Sequence, residues 1–374
     1  MIGTDFSVVL LPTLACNAAC DYCFERHRAG MLDLTRLEPI VDQVLDLVQD
    51  QDVKRLSLFW QGGEVTLLSP AWFERAGEIF AERASGAGVE IVHNLQSNLI
   101  GYDRSWNRLI HRMFGGSIGT SLDYPNLYRR PIRGRAEDFL PLWRRGYNEA
   151  LEGDVHVGLI AVANQATLST GAEDFYHFFA DELGVDDFQV NTPFSAKNQA
   201  ASLKPLDPVA VGRFLIELAN VWLAEGFARG VKLGPFDELR NWFAGGEATL
   251  PCMWRPSCPH DHVSIDPDGN VAQCDCWVSS YPSHHYGNLF RDASLSELLT
   301  RSTARSTMLS RPVQLVAKPP CRDCEYLAVC HGGCAIRALT MAGQLTSPDP
   351  YCESYRLLFA HFESLAQHSP ELES

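Results

Sequence analysis

The stretch Cys16-Asn17-Ala18-Ala19-Cys20-Asp21-Tyr22-Cys23 spaces three cysteines as C-x3-C-x2-C, soon after an apolar run at residues 6–11 that predicts a strand. Three thiolates cannot close a tetrahedral zinc site without a fourth ligand, whereas a 4Fe–4S cluster held by three thiolates keeps one iron open. The alternatives are a zinc site completed by a nearby histidine such as His27, or three unrelated buried cysteines. The spacing favours an iron–sulfur centre just beyond the first strand.

The chain of 374 residues contains twelve cysteines, and their distribution is uneven. Three lie in the first run, none in the next 228 positions, and nine between Cys252 and Cys352. A reducing compartment makes a disulfide framework improbable, so metal binding is the natural explanation. By itself, the pair Cys321 and Cys324 with distant cysteines would suggest a zinc ribbon. The distribution predicts two separate metal-bearing regions.

Strands and helices alternate along the first part of the chain. Apolar or alternating runs predict six strands, at residues 6–11, 55–60, 89–95, 117–121, 155–162 and 188–191. Helical spacing recurs between them and after the sixth, at residues 34–48, 71–83, 105–113, 138–151, 172–183 and 208–227. Such alternation implies a parallel sheet with right-handed crossovers. Because six units are too few for an eight-fold barrel, we expect an α/β fold with a partial (β/α)6 TIM-like barrel.

The alternation stops near residue 236, where Cys, Pro, Gly and His become frequent. We therefore expect one domain over residues 1–235 and a cysteine-rich domain over residues 236–374. Residues 265–271 predict a hairpin, because Asp268-Gly269-Asn270 supplies turn residues between short apolar arms. Residues 353–367 predict an amphipathic helix that packs back on the body, with Leu358, Phe362 and Leu365 on one face.

The charge and hydropathy of the chain exclude some classes of partner. Its 31 basic and 46 acidic residues give a net charge of −15, which argues against binding to a phosphate backbone. No apolar run reaches the roughly 18 residues that span a bilayer, and the start lacks the basic region of a secretory signal. We expect a soluble, cytoplasmic protein that binds neither nucleic acid nor membrane.

Short polar stretches follow several of the predicted strands. Gly62-Gly63-Glu64 follows the second strand, Gln96-Ser97-Asn98 the third, and Ser121-Leu122-Asp123 the fourth. Each taken alone is as well explained as an ordinary polar loop. Ligands of parallel α/β folds gather where the strands end, so we expect these stretches to share one rim with the first cysteine run.

The C-x3-C-x2-C run with Tyr22 before its last cysteine resembles the signature of the radical S-adenosylmethionine (SAM) superfamily. The resemblance implies that Cys16, Cys20 and Cys23 hold a 4Fe–4S cluster whose open iron chelates SAM, with Tyr22 packed near the adenine. It further implies SAM contacts from Gly62, Gly63, Glu64 and Asn98, and from Ser121 at the ribose. Arg130 is the preferred partner of the SAM carboxylate and Arg129 the second choice; a surface salt bridge is the alternative for either.

The later cysteines resemble the SPASM domain, which carries two auxiliary 4Fe–4S clusters in peptide-modifying radical SAM enzymes. The resemblance assigns Cys252, Cys258, Cys274 and Cys334 to one cluster, and Cys321, Cys324, Cys330 and Cys352 to the other. Three clusters would then use eleven cysteines and leave Cys276, which could replace Cys274. Fully ligated clusters suit electron transfer rather than substrate chelation.

Within SPASM enzymes, the spacing of the auxiliary ligands and the pair Cys274-Asp275 is similar to that of anaerobic sulfatase-maturating enzymes. This likeness implies that Asp275 is the base that removes a proton from the substrate; a capping or turn aspartate is the alternative. The chain departs from that family's pattern at two positions: Val65 stands where a proline usually follows Gly-Gly-Glu, and Tyr124 stands where a glycine usually follows Ser-Leu-Asp. It also lacks the His-Asp pair that usually precedes the arginine. Residues 191–204, where a maturase would hold its peptide, also look shortened.

The resemblance thus implies a radical SAM enzyme that oxidises a side-chain carbon of a peptide or protein by two electrons. The product would be a crosslink, a thioether or a formylglycine-type aldehyde, and the electron would come from an external donor of the flavodoxin or ferredoxin type. One alternative is a small-molecule dehydrogenase or epimerase acting on a sugar or amino acid. Another is a non-catalytic iron–sulfur or zinc protein, which would fail to cleave SAM.

Overall fold

The computed structural model describes residues 3–193, 195–196, 205–256 and 258–368. Six strands match the predicted ones: β1 (Asp5–Thr13), β2 (Arg55–Gly62), β3 (Glu90–Leu95), β4 (Ser117–Ser121), β5 (His156–Val162) and β6 (Asp187–Asn191). Four short strands follow: β7 (Lys232–Gly234), β8 (His262–Ile265), β9 (Asn270–Ala272) and β10 (Gly287–Asn288). The predicted hairpin is formed by β8 and β9, which pair antiparallel.

The helices of the first region are α1 (Leu34–Asp50), α2 (Pro70–Arg83), α3 (Asn107–Met113), α4 (Phe139–Leu151), α5 (Gln165–Thr170), α6 (Ala172–His177), α7 (Pro208–Val221) and α8 (Phe236–Phe243). Those that follow are α9 (Cys258–Asp261), α10 (Asp275–Ser280), α11 (Leu295–Arg301), α12 (Thr303–Val316), α13 (Leu327–Cys330), α14 (Ala335–Ala342) and α15 (Cys352–His368). Capping residues set several starts. Asp33 caps α1. Ser69 caps α2 and Asp207 caps α7, and in both of these helices a proline occupies the first helical position.

The six predicted strands form a partial barrel, which confirms the expected fold class. Strands β1, β2 and β3 pair in parallel, as do β4, β5, β6 and β7. The two groups meet through a parallel bridge between Gln96 and Gly119, where Ser97 N donates to Gly119 O at 2.9 Å. The carboxyl ends of β1 to β4 therefore lie along one rim, as the polar stretches predicted.

Strand β1 is buried on both faces, although an alternating pattern would leave one face to solvent. Phe6, Val8 and Leu10 join the main core, whereas Val9 and Leu11 pack in a second cluster that includes Trp277. Strand β8 pairs in parallel with β1, from Ser7 opposite His262 to Leu10 opposite Ile265. The cysteine-rich region thus continues the barrel sheet beyond β1, an arrangement that local sequence patterns did not predict.

The last helix returns to the barrel, as its apolar face predicted. In α15, Leu358 and Phe362 are fully buried, and Phe362 packs on Phe236 of α8 with ring centroids 5.9 Å apart. Gly212 of α7 allows the close approach, since a Cβ there would lie 2.8 Å from Leu357 Cδ1. The boundary at residue 236 stays a prediction.

None of the helices in the described ranges combines the length and apolarity needed to cross a membrane. The segment 191–204, predicted to be shortened, falls for the most part outside those ranges, at positions 194 and 197–204.

Candidate iron–sulfur and SAM site

The first three cysteines lie in a loop that leaves β1 and is held by the backbone of residues 128–132. Ala19 N donates to Arg130 O at 2.8 Å, Asp21 N to Tyr128 O at 3.0 Å, and Ile132 N to Asn17 O at 3.0 Å. Burial, followed by the charges of Glu25, Cys20 and Cys16, raises the pKa of the Cys23 thiol. The thiols of one short loop therefore converge on a common region.

This donor set fits a bound metal. Burial raises the pKa of Cys16 to about 12, so a lone thiolate is unfavourable there, and a metal cluster would supply the missing positive charge. His27 Nε2 lies 3.4 Å from Cys23 Sγ, so a histidine stands near the trio as well. The three thiols suit a 4Fe–4S cluster with an open iron. Metal analysis of the purified protein distinguishes this cluster from a zinc site completed by His27.

The two glycines at the end of β2 are required by close approach to this loop. A Cβ on Gly63 would lie 2.1 Å from Ala15 O, and one on Gly62 would lie 2.4 Å from Thr13 O. Gly62 also has φ of +133°, which side chains rarely adopt. The sequence Gly62-Gly63 therefore brings β2 against the backbone that leads to Cys16.

Glu64 is buried and joins the ends of β2 and β3. Its Oε1 accepts hydrogen bonds from Thr66 N at 2.9 Å and from the Thr66 and Ser97 hydroxyls at 2.7 Å, and its Oε2 accepts from Asn98 N at 2.7 Å. The side-chain amide of Asn98 donates to Asn17 Oδ1 at 2.7 Å, and its nitrogen Nδ2 lies 3.9 Å from Cys16 Sγ. Burial raises the pKa of Glu64, and these donors offset part of that shift.

Tyr22 of the cysteine loop is partly buried and contacts two buried residues, Asp123 and Arg129. The Tyr22 hydroxyl donates to Asp123 Oδ2, and Arg129 Nε lies 3.1 Å from the same oxygen. The Arg129 guanidinium stands 5.3 Å from the centroid of the Tyr22 ring, and its charge partly offsets the effect of burial on the Cys20 pKa. Arg129 is thus directed toward the cysteine loop.

Arg130, the arginine preferred from sequence, is placed differently. Its side chain is 43% exposed and pairs with Asp21 at 3.1 Å. At the next strand end, Ser121 Oγ accepts a hydrogen bond from Gln96 Nε2 at 3.1 Å. Tyr22 thus lies in the cysteine loop, and Arg129 and Asn98 lie against it. Ser121 is on the same rim, and the side chain of Arg130 occupies a more exposed position.

The later cysteines form two groups. In one, the largest causes after burial that raise the pKa of Cys252 are the charges of Cys334 and Cys274, and those that raise the pKa of Cys258 are the charges of Cys252, Cys274 and Cys334. Burial raises the pKa of Cys252 to about 12. Arg337, buried nearby, pairs with Asp349 at 2.8 Å and donates to Thr192 Oγ1 at 2.8 Å.

The other group surrounds a small cavity. The aromatic residues Tyr326, Tyr355 and Phe359 line part of this cavity. Four cysteines line it as well: Cys321, Cys324, Cys330 and Cys352. Burial raises the pKa of Cys330 to about 12 and that of Cys352 to about 11. The two groups contain the same cysteines that the resemblance assigned to two separate clusters, and each offers four thiols, which fits a fully ligated cluster.

Cys274, Asp275 and Cys276 lie at the N-terminus of α10, with one potential ligand atom from each within 4.8 Å of the others. The hydrogen bond between the Cys276 and Cys274 thiols and then burial raise the Cys276 pKa well above its ordinary value. Cys276 thus lies next to Cys274 of the first auxiliary group, and which of the two is a ligand stays a prediction.

Asp275 links this region to the barrel rim. Its Oδ2 accepts a hydrogen bond from Gln61 Nε2 at 2.7 Å, and burial raises its pKa. Gln61 is the residue just before Gly62, and the sequence analysis did not single it out. The one feature of the sequence that could have pointed to Gln61 is its place directly before the two glycines. Its partner Asp275 lies 214 residues away, so the contact itself could not be predicted from local sequence.

Glu25 is a second functional candidate that sequence reasoning missed. It follows Cys23 by two residues, is only 7% exposed, and its Oε2 has no hydrogen-bond partner among the described residues. Burial first and the charge of Asp275 second raise the pKa of Glu25 to about 8. Ser279 and Ser280 of α10 both donate to Phe24 O, which places this helix against the loop.

Comparison with known proteins finds a matching domain family and relatives that cover most of the chain. Residues 252–325 match SPASM, an iron-sulfur cluster-binding domain. The serine-type anaerobic sulfatase-maturating enzyme of Bacteroides thetaiotaomicron is 22% identical over 371 residues, which cover 92% of this chain and 86% of the relative.

Two solved structures share the fold. Native anSMEcpe with bound AdoMet and Cp18Cys peptide has a TM-score of 0.79 at 22% identity, covering 96% of this chain and 99% of that one. Streptococcus suis SuiB bound to precursor peptide SuiA has a TM-score of 0.61 at 16% identity, covering 94% and 77%. The chain thus resembles, over almost its whole length, radical SAM enzymes with a C-terminal SPASM domain.

Proposed function

We propose that this chain is a radical SAM enzyme that modifies a peptide or protein substrate by a net two-electron oxidation of a side-chain carbon. The observation that carries the proposal is the hydrogen bond from Gln61 to Asp275. It joins the strand end beside the cysteine trio to the residue that follows Cys274. A carboxylate from the cysteine-rich region therefore stands at the edge of the candidate SAM site.

The cofactors assigned here are SAM and three 4Fe–4S clusters, one on the first cysteine loop and two on the later groups. When bound, SAM and the first cluster would supply radical chemistry able to remove a hydrogen atom from a substrate carbon. Cys16, Cys20 and Cys23 hold that cluster. Gly62 and Gly63 place their backbone beside this cluster, and Glu64 and Asn98 hold the ends of β2 and β3 together. Tyr22 and Ser121 would contact the adenosine part of SAM.

Asp275 is the residue we assign to proton removal. Gln61 Nε2 donates to Oδ2 of its carboxylate, and the next residue, Cys276, also donates hydrogen bonds to the carboxylate. The α10 N-terminus also orients the group, since Asp275 is the first residue of that helix. A base fixed in this way can take the substrate proton without rearranging.

The peptide class is supported by the relatives. One is a sulfatase-maturating enzyme, and two proteins of this fold were solved with peptides. A formylglycine-type aldehyde, a crosslink and a thioether all satisfy the same electron count. The departures at Val65 and Tyr124 lead us to favour a peptide other than a sulfatase. One electron would leave the substrate with the abstracted hydrogen atom, so the two later cysteine groups would hold clusters that accept the single remaining electron, and an external one-electron donor would supply the electron that SAM cleavage consumes.

The proposal is tested on anaerobically reconstituted protein by counting iron and sulfide and by measuring 5′-deoxyadenosine release with dithionite. We expect about twelve irons per chain, because three 4Fe–4S clusters carry that number, and release that depends on reductant. Zinc in place of iron, with no SAM cleavage, would overturn the proposal and leave a metal-stabilised binding protein.

We further propose Arg129, rather than Arg130, as the contact of the SAM carboxylate, because Arg129 is buried beside Tyr22 and Cys20. Replacing Arg129 with Gln is expected to raise the KM for SAM by about tenfold or more, as for loss of a buried charge-assisted contact. Arg130→Gln, the matched control, should change it by less than about twofold, since exposed ion pairs are weak. The measurement is 5′-deoxyadenosine release against SAM concentration at equal iron content. The reverse ranking would return the role to Arg130.

A further inference from the structure

Glu25 is a buried carboxyl group with one oxygen, Oε2, whose hydrogen-bonding capacity is not used among the described residues. Its side chain is only 7% exposed, and Oε2 is fully buried without a partner among the described residues. Burying an unpartnered carboxylate oxygen is unfavourable, because the oxygen loses its water without a replacement. A group kept in this state is a strong candidate for a ligand contact.

The position of Glu25 is informative. Glu25 follows Cys23 of the first cysteine loop by two residues, and the Ser279 and Ser280 hydroxyls of α10, the helix that begins at Asp275, donate to the carbonyl oxygen of Phe24. The carboxyl also faces the Ser279 hydroxyl of α10. Glu25 therefore lies beside both the first cysteine loop and the helix that begins with the proposed base, close to where the reacting part of a substrate would be held.

The surroundings are negative. Neither Glu25 nor Asp275 takes part in an ion pair among the residues that the structure describes, and Gln61, the donor to Asp275, is neutral. Arg26, which follows Glu25 directly, is exposed, and Arg28 pairs with Asp268 at 2.5 Å and lies 3.7 Å from Asp266. A ligand that complements this region carries positive charge and N–H donors.

We infer that Glu25 is a specificity-determining residue that receives the ammonium or guanidinium group of a lysine or arginine, located at or beside the residue that is modified. This inference rests on the proposed function. The Glu25 carboxylate would accept from the cation through its free oxygen, while Asp275, held by Gln61, stays directed at the reacting carbon. The substrate class is therefore a peptide with a basic residue at the site of modification.

The test uses the reconstituted full chain, immobilised with SAM, and a pool of peptides with fully randomised sequences. Sequencing of the retained peptides by mass spectrometry gives the enrichment of each residue type. Wild-type protein should enrich lysine or arginine at one position by about tenfold, and Glu25→Gln should lose that enrichment. Glu25→Asp keeps the charge and should retain a preference for basic residues.

The control is Glu173→Gln, an exposed residue of α6 that changes the net charge by the same amount. If attraction to the chain's net charge of −15 explained the enrichment, Glu25→Gln and Glu173→Gln would behave alike, and the inference would be wrong. Iron content verifies that each variant assembles its clusters. A measurement on wild-type protein alone gives a second test: an enriched peptide resynthesised with norleucine in place of its lysine should bind about tenfold more weakly.

Failure of the inference and failure of the proposed function give different results. Wild-type protein that cleaves SAM but enriches no basic residue would overturn the inference and leave the proposed function standing. Wild-type protein that contains no iron and cleaves no SAM would overturn the proposed function itself.

Discussion

Replacing Cys16 with alanine is expected to remove about four irons per chain and to reduce SAM cleavage to background, because the first 4Fe–4S cluster has no spare protein ligand. Cys16 lies where the loop leaves β1, near the Asn98 amide. The auxiliary groups lie on other elements, so their iron should remain. The measurement is iron and sulfide per chain together with 5′-deoxyadenosine release under dithionite.

The matched control for this change is Cys276→Ala, which removes the thiol that the assignment of ligands leaves over. It should keep about twelve irons and the full rate of SAM cleavage. If Cys276→Ala loses iron while Cys274→Ala keeps it, the two residues exchange roles in the first auxiliary group. If Cys16→Ala retains the wild-type rate, the assignment of the first loop is wrong.

Replacing Asp275 with asparagine is expected to separate SAM cleavage from product formation. The amide has nearly the same shape and can still meet Gln61, but it cannot take a proton. Loss of a positioned general base costs about 10²- to 10⁴-fold in the step that it serves. Peptide product should fall by that factor, whereas 5′-deoxyadenosine release should persist.

The measurement is the ratio of modified peptide to 5′-deoxyadenosine, for a peptide recovered by selection on the wild-type protein. Asp50→Asn, at the exposed end of α1, is the control for the same change of charge. An unchanged ratio in Asp275→Asn would show that proton removal occurs elsewhere, and Glu25 would then be the next residue to examine.

The six barrel strands could be predicted because each is a local apolar run bounded by turn residues. The hairpin at residues 262–272 was predictable for a similar reason, since Oδ1 of Asp266 accepts from the backbone N–H groups of Asp268 and Asn270 within the turn itself. The rim could also be predicted, because parallel strands bring their carboxyl ends together.

Pairs that are distant in sequence could not be predicted in this way. The contact between Gln61 and Asp275, and the position of Glu25 against α10, depend on how the cysteine-rich region docks on the barrel. That docking is set by the burial of both faces of β1 and by its pairing with β8. Arg129 and Arg130 are adjacent in sequence, so only their different surroundings could separate them.

The pairing of β1 with β8 has a consequence for the route of electrons. The first cysteine loop follows β1, and β8 leads through β9 to Cys274, so backbone hydrogen bonds of one sheet hold both cysteine regions. Tunnelling rates fall steeply with separation, and a hydrogen-bonded ladder stretches very little. The spacing between redox centres on these two loops would therefore be built into the barrel, and it would not vary as it would between domains joined by a flexible linker.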